Sequence, residues 1–157
     1  AGTPDWSAPN GKDRRLRLVA ALELDGRVLQ GLELVGRAHE QLQNRDLSFT
    51  LLYLPTDNRR EAVQLARVDW RPKTAHCNDH PKTPASLMGD VEGTHHHSFD
   101  LNWSDGKGMT LKGLPIAIEI APDFQSVSEV LDGVGDLFNI ENMAAAIPSP
   151  WPKDLFG

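Results

Sequence analysis

The chain has 157 residues, enough for one domain that needs neither a metal ion nor a disulfide for stability. Its 16 basic and 22 acidic residues give a formal net charge of −6, which argues against generic binding to duplex nucleic acid. Cys77 is the single cysteine, so no internal disulfide can form, and no apolar run is long enough to span a membrane. We therefore expect a soluble, cytoplasmic protein.

The chain divides into a central domain and two terminal segments. Prolines cluster at both ends, where they remove backbone donors and restrict the preceding residue. We predict an N-terminal extension at 1–13, a single domain at 14–142 and a Pro-rich C-terminal tail at 143–157. Both terminal segments carry large apolar side chains. We expect these to pack back on the domain, with docking on a protein partner as the alternative.

Apolar residues alternate with polar ones through most of the domain, which is the pattern of half-buried strands. An Asp25-Gly26 dipeptide interrupts the first run, and such dipeptides are typical of two-residue hairpin turns. The alternating segments predict an antiparallel β-meander sheet of about six strands, at 16–24, 28–35, 47–54, 61–70, 94–103 and 114–120.

Near the C-terminus the apolar residues recur at intervals of three and four, which predicts an amphipathic α-helix. Asp123 or Ser126 can cap its N-terminus, and Gly133 and Gly135 weaken its interior. One C-terminal helix packed on one face of the sheet gives an α+β fold. The apolar stripe consists of Phe124, Val127, Val130, Leu131, Val134, Leu137 and Phe138.

Two segments supply the candidate site. Residues 71–93 form a long segment without apolar periodicity, and such loops are more often functional than silent. In the strand at 94–103, alternation places His95 and His97 on one face and His96 on the other. The first face also carries apolar residues, so we interpret it as the core-directed face. Those apolar residues are Phe99, Leu101 and Trp103.

The histidines permit three interpretations. A zinc ion could be bound by His95 and His97 together with Cys77 or His80 from the loop, although paired signatures such as C-x-x-C are missing. Without a metal, two nearby imidazoles could bind an anionic ligand or act as base and acid in phosphodiester cleavage. In the third interpretation they only bond backbone carbonyls and fix the loop over the sheet. Candidates for stabilising developing negative charge are Arg67, Arg71, Lys82 and Asn78.

The order of short motifs along the chain, Arg-Val-Asp-Trp, then His-Cys-Asn, then His-His-His-Ser-Phe before a closing helix, resembles an uncharacterised family of small bacterial and phage-borne proteins. Members of that family have an H-x-N loop followed by an H-x-H-aromatic strand. The resemblance spans about residues 45–142, and the chain departs from the pattern after Asn78, where the family commonly has Pro and then Asp-Gly. It implies a common site for His76, Asn78, His95 and His97, without implying a reaction. The matched residues are Arg67, Val68, Asp69, His76, Asn78, His95, His97 and Phe99.

Two hypotheses about function follow. In the first, the protein is a His-centred enzyme or metal-binding protein in which His76, His95 and His97 converge with Asn78 beside Asp69. In the second, it is a non-catalytic protein-interaction module of a bacterial or phage mobile element.

Overall fold

The computed structural model describes residues 3–8, 12–56, 58–104, 108–109 and 113–151. Its strands are β1 Arg15–Leu24, β2 Arg27–His39, β3 Leu47–Tyr53, β4 Val63–Trp70, β5 His76–Asn78, β6 Gly89–Val91, β7 His95–His97, β8 Trp103–Ser104, β9 Gly108–Met109 and β10 Ile118–Glu119. Six of them form an antiparallel sheet in the order β1-β2-β3-β4-β7-β10, which confirms the predicted six-stranded antiparallel sheet. The remaining described strands form two small hairpins, β5 with β6 and β8 with β9.

The described helices are α1 Phe99–Asn102, α2 Val127–Phe138 and α3 Met143–Ala146. The prediction of one C-terminal helix is therefore too simple, because α1 and α3 are short additional helices. None of the described helices is long and apolar enough to cross a membrane.

The first hairpin follows the sequence closely. Asp25 and Gly26 have φ values of 51° and 74°, as a primed two-residue turn between β1 and β2 requires. Along the strands, every second side chain points toward α2. The largest buried side chains of this core include Leu18, Leu34, Phe49, Val68, Trp70, Val130 and Val134.

Ser126 caps α2, since its hydroxyl accepts a hydrogen bond from the backbone N–H of Glu129 at 3.2 Å. The helix passes through Gly133 without a break. A Cβ atom at Gly133 would lie 2.4 Å from the ring of Phe124, so the glycine lets this segment lie close against the helix. The loss of helix propensity there is offset by packing.

The strand predicted at 94–103 is shorter than expected. β7 ends at His97, and the hydroxyl of Ser98 accepts a hydrogen bond from the backbone N–H of Leu101, which caps α1. As a result the alternation does not continue past Ser98. Phe99 and Trp103 are 41% and 45% exposed, and their rings stack on each other rather than in the core.

Aromatic side chains from both terminal segments pack on the domain. Trp151 is buried beside Trp70, and its indole N–H donates to the carbonyl of His39 at 2.9 Å. Trp6 packs edge-on against Phe49. Met143 and Ile147 join the same core, whereas Leu155 and Phe156 of the predicted tail lie outside the described residues.

Candidate functional site

The polar face of the sheet, opposite α2, carries the candidate site. In the antiparallel pairing of β4 with β7, Arg67 lies opposite His97, Val68 opposite His96, and Asp69 opposite His95. Val68 belongs to the core under α2, so His96 faces the helix side and the two flanking histidines face the other side. The expectation that His95 and His97 lie on the core-directed face is therefore wrong, because it rested on a strand continuing past Ser98.

His96 is partly buried on the helix side, with its ring 6.2 Å from that of Phe138. Burial, together with the neighbouring His97, lowers the pKa of His96 below its usual value. Its position separates it from the candidate site.

The β5–β6 hairpin brings a third histidine to the pair. The ring centroid of His76 lies 5.7 Å from that of His95 and 4.6 Å from that of His97, and the latter two rings are 5.1 Å apart. One ring nitrogen of each residue lies within 4.8 Å of the other two. His95 and His97 are each 3% exposed and His76 is half-buried, and all three line a cleft of about 370 Å³.

Asn78, the last residue of β5, supports this arrangement. It is 1% exposed, its amide N–H groups donate to the carbonyls of Leu87 and Ala117, and its carbonyl accepts from the backbone N–H of Ala117. All of these bonds are 2.8 Å long. Since its donors and acceptor are used within the protein, Asn78 positions the hairpin and does not line the cleft.

Asn102 makes an equivalent set of hydrogen bonds with Ile116, which precedes Ala117 in the segment at 113–117. Its amide donates to the carbonyls of Ser98 and Ile116, and its carbonyl accepts from the N–H of Ile116. Together the two asparagines hold this segment between the hairpin and α1. The sequence does not single out Asn102, because nothing in the local pattern around it indicates that its amide will contact Ile116.

Cys77 and His80 lie away from the three imidazoles. Cys77 is exposed, because alternation along β5 turns it away from the side that His76 and Asn78 share. A hydrogen bond to Asp90 raises the pKa of the Cys77 thiol. The Nδ1 atom of His80 accepts a hydrogen bond from the backbone N–H of Lys82 at 3.2 Å. Neither residue belongs to the group of nitrogens that lie within 4.8 Å.

The other candidate cations have different roles. Arg71 forms an ion pair with Asp123 at 2.6 Å and donates to the carbonyl of Phe124, so it ties the loop to the start of α2. Lys82 contacts the hydroxyl of Ser104. Of the three candidate cations, all of them described by the structure, Arg67 is the one that lines the cleft, next to Asp69.

Asp69 is the carboxylate of the site. Its Oδ1 atom accepts two hydrogen bonds from Arg67, at 2.9 and 2.6 Å, and its Oδ2 atom faces the two buried histidines. Burial raises the pKa of Asp69, but the imidazoles of His95 and His97 and the guanidinium of Arg67 outweigh it and hold that pKa well below its usual value. Asp69 is therefore ionised.

The proton of His95 can be placed from its neighbours. Nδ1 lies 2.8 Å from the carbonyl oxygen of Gly93, and a carbonyl only accepts, so Nδ1 carries a proton. In a neutral ring, Nε2 then presents a lone pair to Asp69 Oδ2, which is 3.4 Å away. That contact is repulsive unless positive charge lies between the two atoms, in the form of a second proton or a metal ion.

The same reasoning applies to the other two rings. His76 Nε2 lies 2.9 Å from the carbonyl oxygen of Pro115, so Nδ1 of a neutral His76 has a free lone pair. His97 Nε2 lies 3.5 Å from Asp69 Oδ2, and its buried Nδ1 has no hydrogen-bond partner among the described residues. Burial lowers the pKa of His97 below its usual value, although the neighbouring Asp69 acts to raise it.

The fold and the site define an α+β protein in which a β-hairpin closes three imidazoles and a carboxylate against the polar face of a sheet. No protein-family model, curated protein or solved structure matches this chain. The resemblance of its motifs to a bacterial and phage-borne family stays a prediction.

Proposed function

We propose that the protein binds a divalent transition metal ion through His76, His95 and His97. The unpartnered Nδ1 atom of His97 carries this proposal, because a buried imidazole nitrogen without a partner is costly and a metal ion supplies one. A cation held by these histidines would also supply the positive charge that the contact between His95 Nε2 and Asp69 Oδ2 requires.

Neighbouring oxygens favour this role. Ligating histidines in proteins usually donate their second ring N–H to a carbonyl or carboxylate, which fixes the tautomer. The carbonyls of Pro115 and Gly93 do this for His76 and His95, and Asp69 stands in the corresponding place for His97.

Zinc is the best match to the residues present. Imidazole nitrogen is a preferred zinc ligand, and tetrahedral bonds of ~2.0–2.1 Å place ligand nitrogens ~3.3–3.4 Å apart. One ring nitrogen of each residue lies within 4.8 Å of the other two, so binding would draw these nitrogens together by up to about 1.5 Å. Asp69 Oδ2 lies 3.5 Å from His97 Nε2, the nitrogen that does not face the ion in this arrangement, and therefore serves as an outer partner of the site.

The cleft supports a reactive rather than a purely structural centre. Catalytic zinc sites have three protein ligands and keep a position for water or substrate, whereas structural sites are closed by four. The histidines line a cleft of about 370 Å³ that also contains Arg67. A metal-bound water with a pKa of about 7 would supply the nucleophile for hydrolysis of a ligand in this cleft.

Acid–base chemistry without a metal is the second candidate. Its support is the contact between His95 and Asp69, which a second proton on the imidazole would also make favourable. A protonated His95 could act as an acid beside a neutral His97, whose pKa burial lowers. This arrangement provides no partner for His97 Nδ1, and we therefore rank it second.

Elemental analysis tests the proposal. The purified protein, loaded with one equivalent of Zn²⁺ and desalted, is compared with His76→Ala, His95→Ala and His97→Ala variants. We expect about one zinc per chain, and loss of more than about nine-tenths of it in each variant under a competing chelator. His80→Ala and Cys77→Ser are matched controls and should retain the metal.

Circular dichroism of each variant establishes that it is folded. Zinc retained equally by the His97→Ala and His80→Ala proteins would overturn the metal site. Folded wild-type protein that holds no zinc, cobalt or nickel would reject the metal site and leave acid–base chemistry or a structural role for the cluster.

A further inference from the structure

A second cavity, of about 600 Å³, adjoins the histidine cleft on the polar face of the sheet. Arg67 and Asp69 line both cavities, so the two are continuous across β4. We call this second cavity the arginine groove. The basic residues that line it are Arg15, Arg37, Arg67 and Lys73.

The arginine groove is positive on a protein that is negative overall. Among the described residues, its lining has four basic residues and two acidic ones, Asp46 and Asp69, whereas the chain has a formal charge of −6. Asp46 lies 3.4 Å from a guanidinium nitrogen of Arg15 and 3.8 Å from the ammonium of Lys73, which neutralise it. Concave surfaces lined by one sign of charge concentrate ligands of the opposite sign.

Arg37 is the basic residue of the groove that neither Asp46 nor Asp69 pairs with. It is exposed and forms no ion pair with the part of the chain that the structure describes. The hydroxyls of Ser48 and Thr50, also in the lining, form no hydrogen bond with described residues. A guanidinium beside two hydroxyl donors suits a phosphate group, which can accept several hydrogen bonds at once.

The sheet register connects Arg37 to the histidines. Arg37 pairs with Ser48, Ser48 with Asp69, and Asp69 with His95, so these four residues form one row across β2, β3, β4 and β7. With neighbouring strands ~4.8 Å apart, the row is about 14 Å long at the backbone. A small molecule anchored at Arg37 can therefore extend to the histidine cleft.

We propose that the arginine groove binds the phosphate of a small phosphate ester whose other end reaches His76, His95 and His97. The inference deepens the proposed function, on which it rests for the position of the reacting end. A single-stranded nucleic acid fits less well, because such sites stack bases on aromatic side chains and no Phe, Tyr or Trp lines either cavity among the described residues.

Amide chemical shifts in nuclear magnetic resonance test the proposal with inorganic pyrophosphate as the probe. Protein stripped of metal and dialysed is used, so that the probe cannot bind through a metal ion. We expect saturable shifts at Ser48 and Thr50, and an apparent affinity reduced about tenfold or more in Arg37→Gln. Arg27→Gln, an exposed arginine on the same strand and outside the groove, is the matched control and should bind like wild type.

Equal binding by the two variants, or shifts confined to other surfaces, would overturn the groove. A thymidine oligonucleotide that binds more tightly than pyrophosphate, and depends on Arg37, would replace the small ester with a nucleic acid. Zinc content of the same preparations before stripping tests the metal centre separately. Arg37-dependent binding in a protein that takes up no metal would uphold the groove and reject only the metal centre.

Discussion

The imidazole of His76 meets that of His97 edge to face, with the two ring centroids 4.6 Å apart. His76 lies on β5, in the segment that connects β4 to β7, so this contact joins the β5–β6 hairpin to the sheet. The site therefore depends on two conditions, the register of β4 with β7 and the seating of the hairpin.

Asp69→Asn should weaken metal binding. The amide retains the size of the carboxylate but loses the negative charge beside His95 and His97, and removal of such outer partners commonly lowers metal affinity ~10–100-fold. Competition with a colorimetric zinc chelator measures the change. Asp132→Asn, at an exposed position on α2, is the control, and equal affinities of the two variants would contradict the role of Asp69.

Asn78→Ala should destabilise the protein. The substitution removes three hydrogen bonds and leaves the N–H and carbonyl of Ala117 without partners in the interior. We expect the free energy of unfolding in urea to fall by about 2–4 kcal/mol. Gln43→Ala, on an exposed turn, should change it by less than about 0.5 kcal/mol. A loss as small as that of Gln43→Ala would show that the asparagine does not hold the hairpin.

Stability should decrease as the pH falls from 7.5 to 5.5. Burial lowers the pKa of both His96 and His97, so the unfolded chain, with histidine pKa values near about 6.5, binds their protons at a higher pH than the folded chain does. This contribution is fully present above about pH 6.5 and is lost as the pH falls toward the folded pKa values.

Urea unfolding of metal-stripped protein at the two pH values measures this effect. His97→Gln should reduce the difference between them. Asp69, whose pKa is also lowered, acts in the same direction but in a more acidic range. A free energy of unfolding that is equal at both pH values would refute the prediction.

Trp151→Ala should destabilise the domain by about 3–5 kcal/mol, because it removes a large core side chain and the hydrogen bond to the carbonyl of His39. Trp103→Ala, where 45% of the residue is exposed, should cause a loss of roughly 1 kcal/mol or less. Thermal unfolding compares the two. Equal losses would leave Trp151 available for a protein partner, as the interaction-module hypothesis requires.

Much of the sheet could be predicted because its signals are local. The turn at Asp25-Gly26 follows from the positive φ that it requires, and alternation in β1 and β4 follows from one buried face. The helix was also predicted, although its first residue was not. Ser126 and Asp123 are both reasonable caps from the sequence; in the structure the Asp123 carboxylate is bound by Thr94 and Arg71, and Ser126 caps the helix that begins at Val127.

The site could be predicted only in part. Alternation correctly grouped His95 with His97 and separated His96, since that argument needs only three residues of strand. It chose the wrong side of the sheet because Ser98 favours a helical turn over continued extension. Proximity to His76 in the sequence predicts Cys77 and His80 as metal ligands, but alternation along β5 turns Cys77 to solvent.

The sequence by itself determined which residue types were available: the histidines, the Arg-Val-Asp run of β4 and a sheet with one polar face. Only the tertiary structure decided that His76 reaches His95 and His97, that Asp69 lies beneath them, and that Arg37 is in line with His95 across four strands. The physical reason is that strand register and hairpin docking are set by contacts between distant parts of the chain. Local patterns define which side chains share a face of a strand, but not which side of the sheet that face occupies or which side chains it meets there.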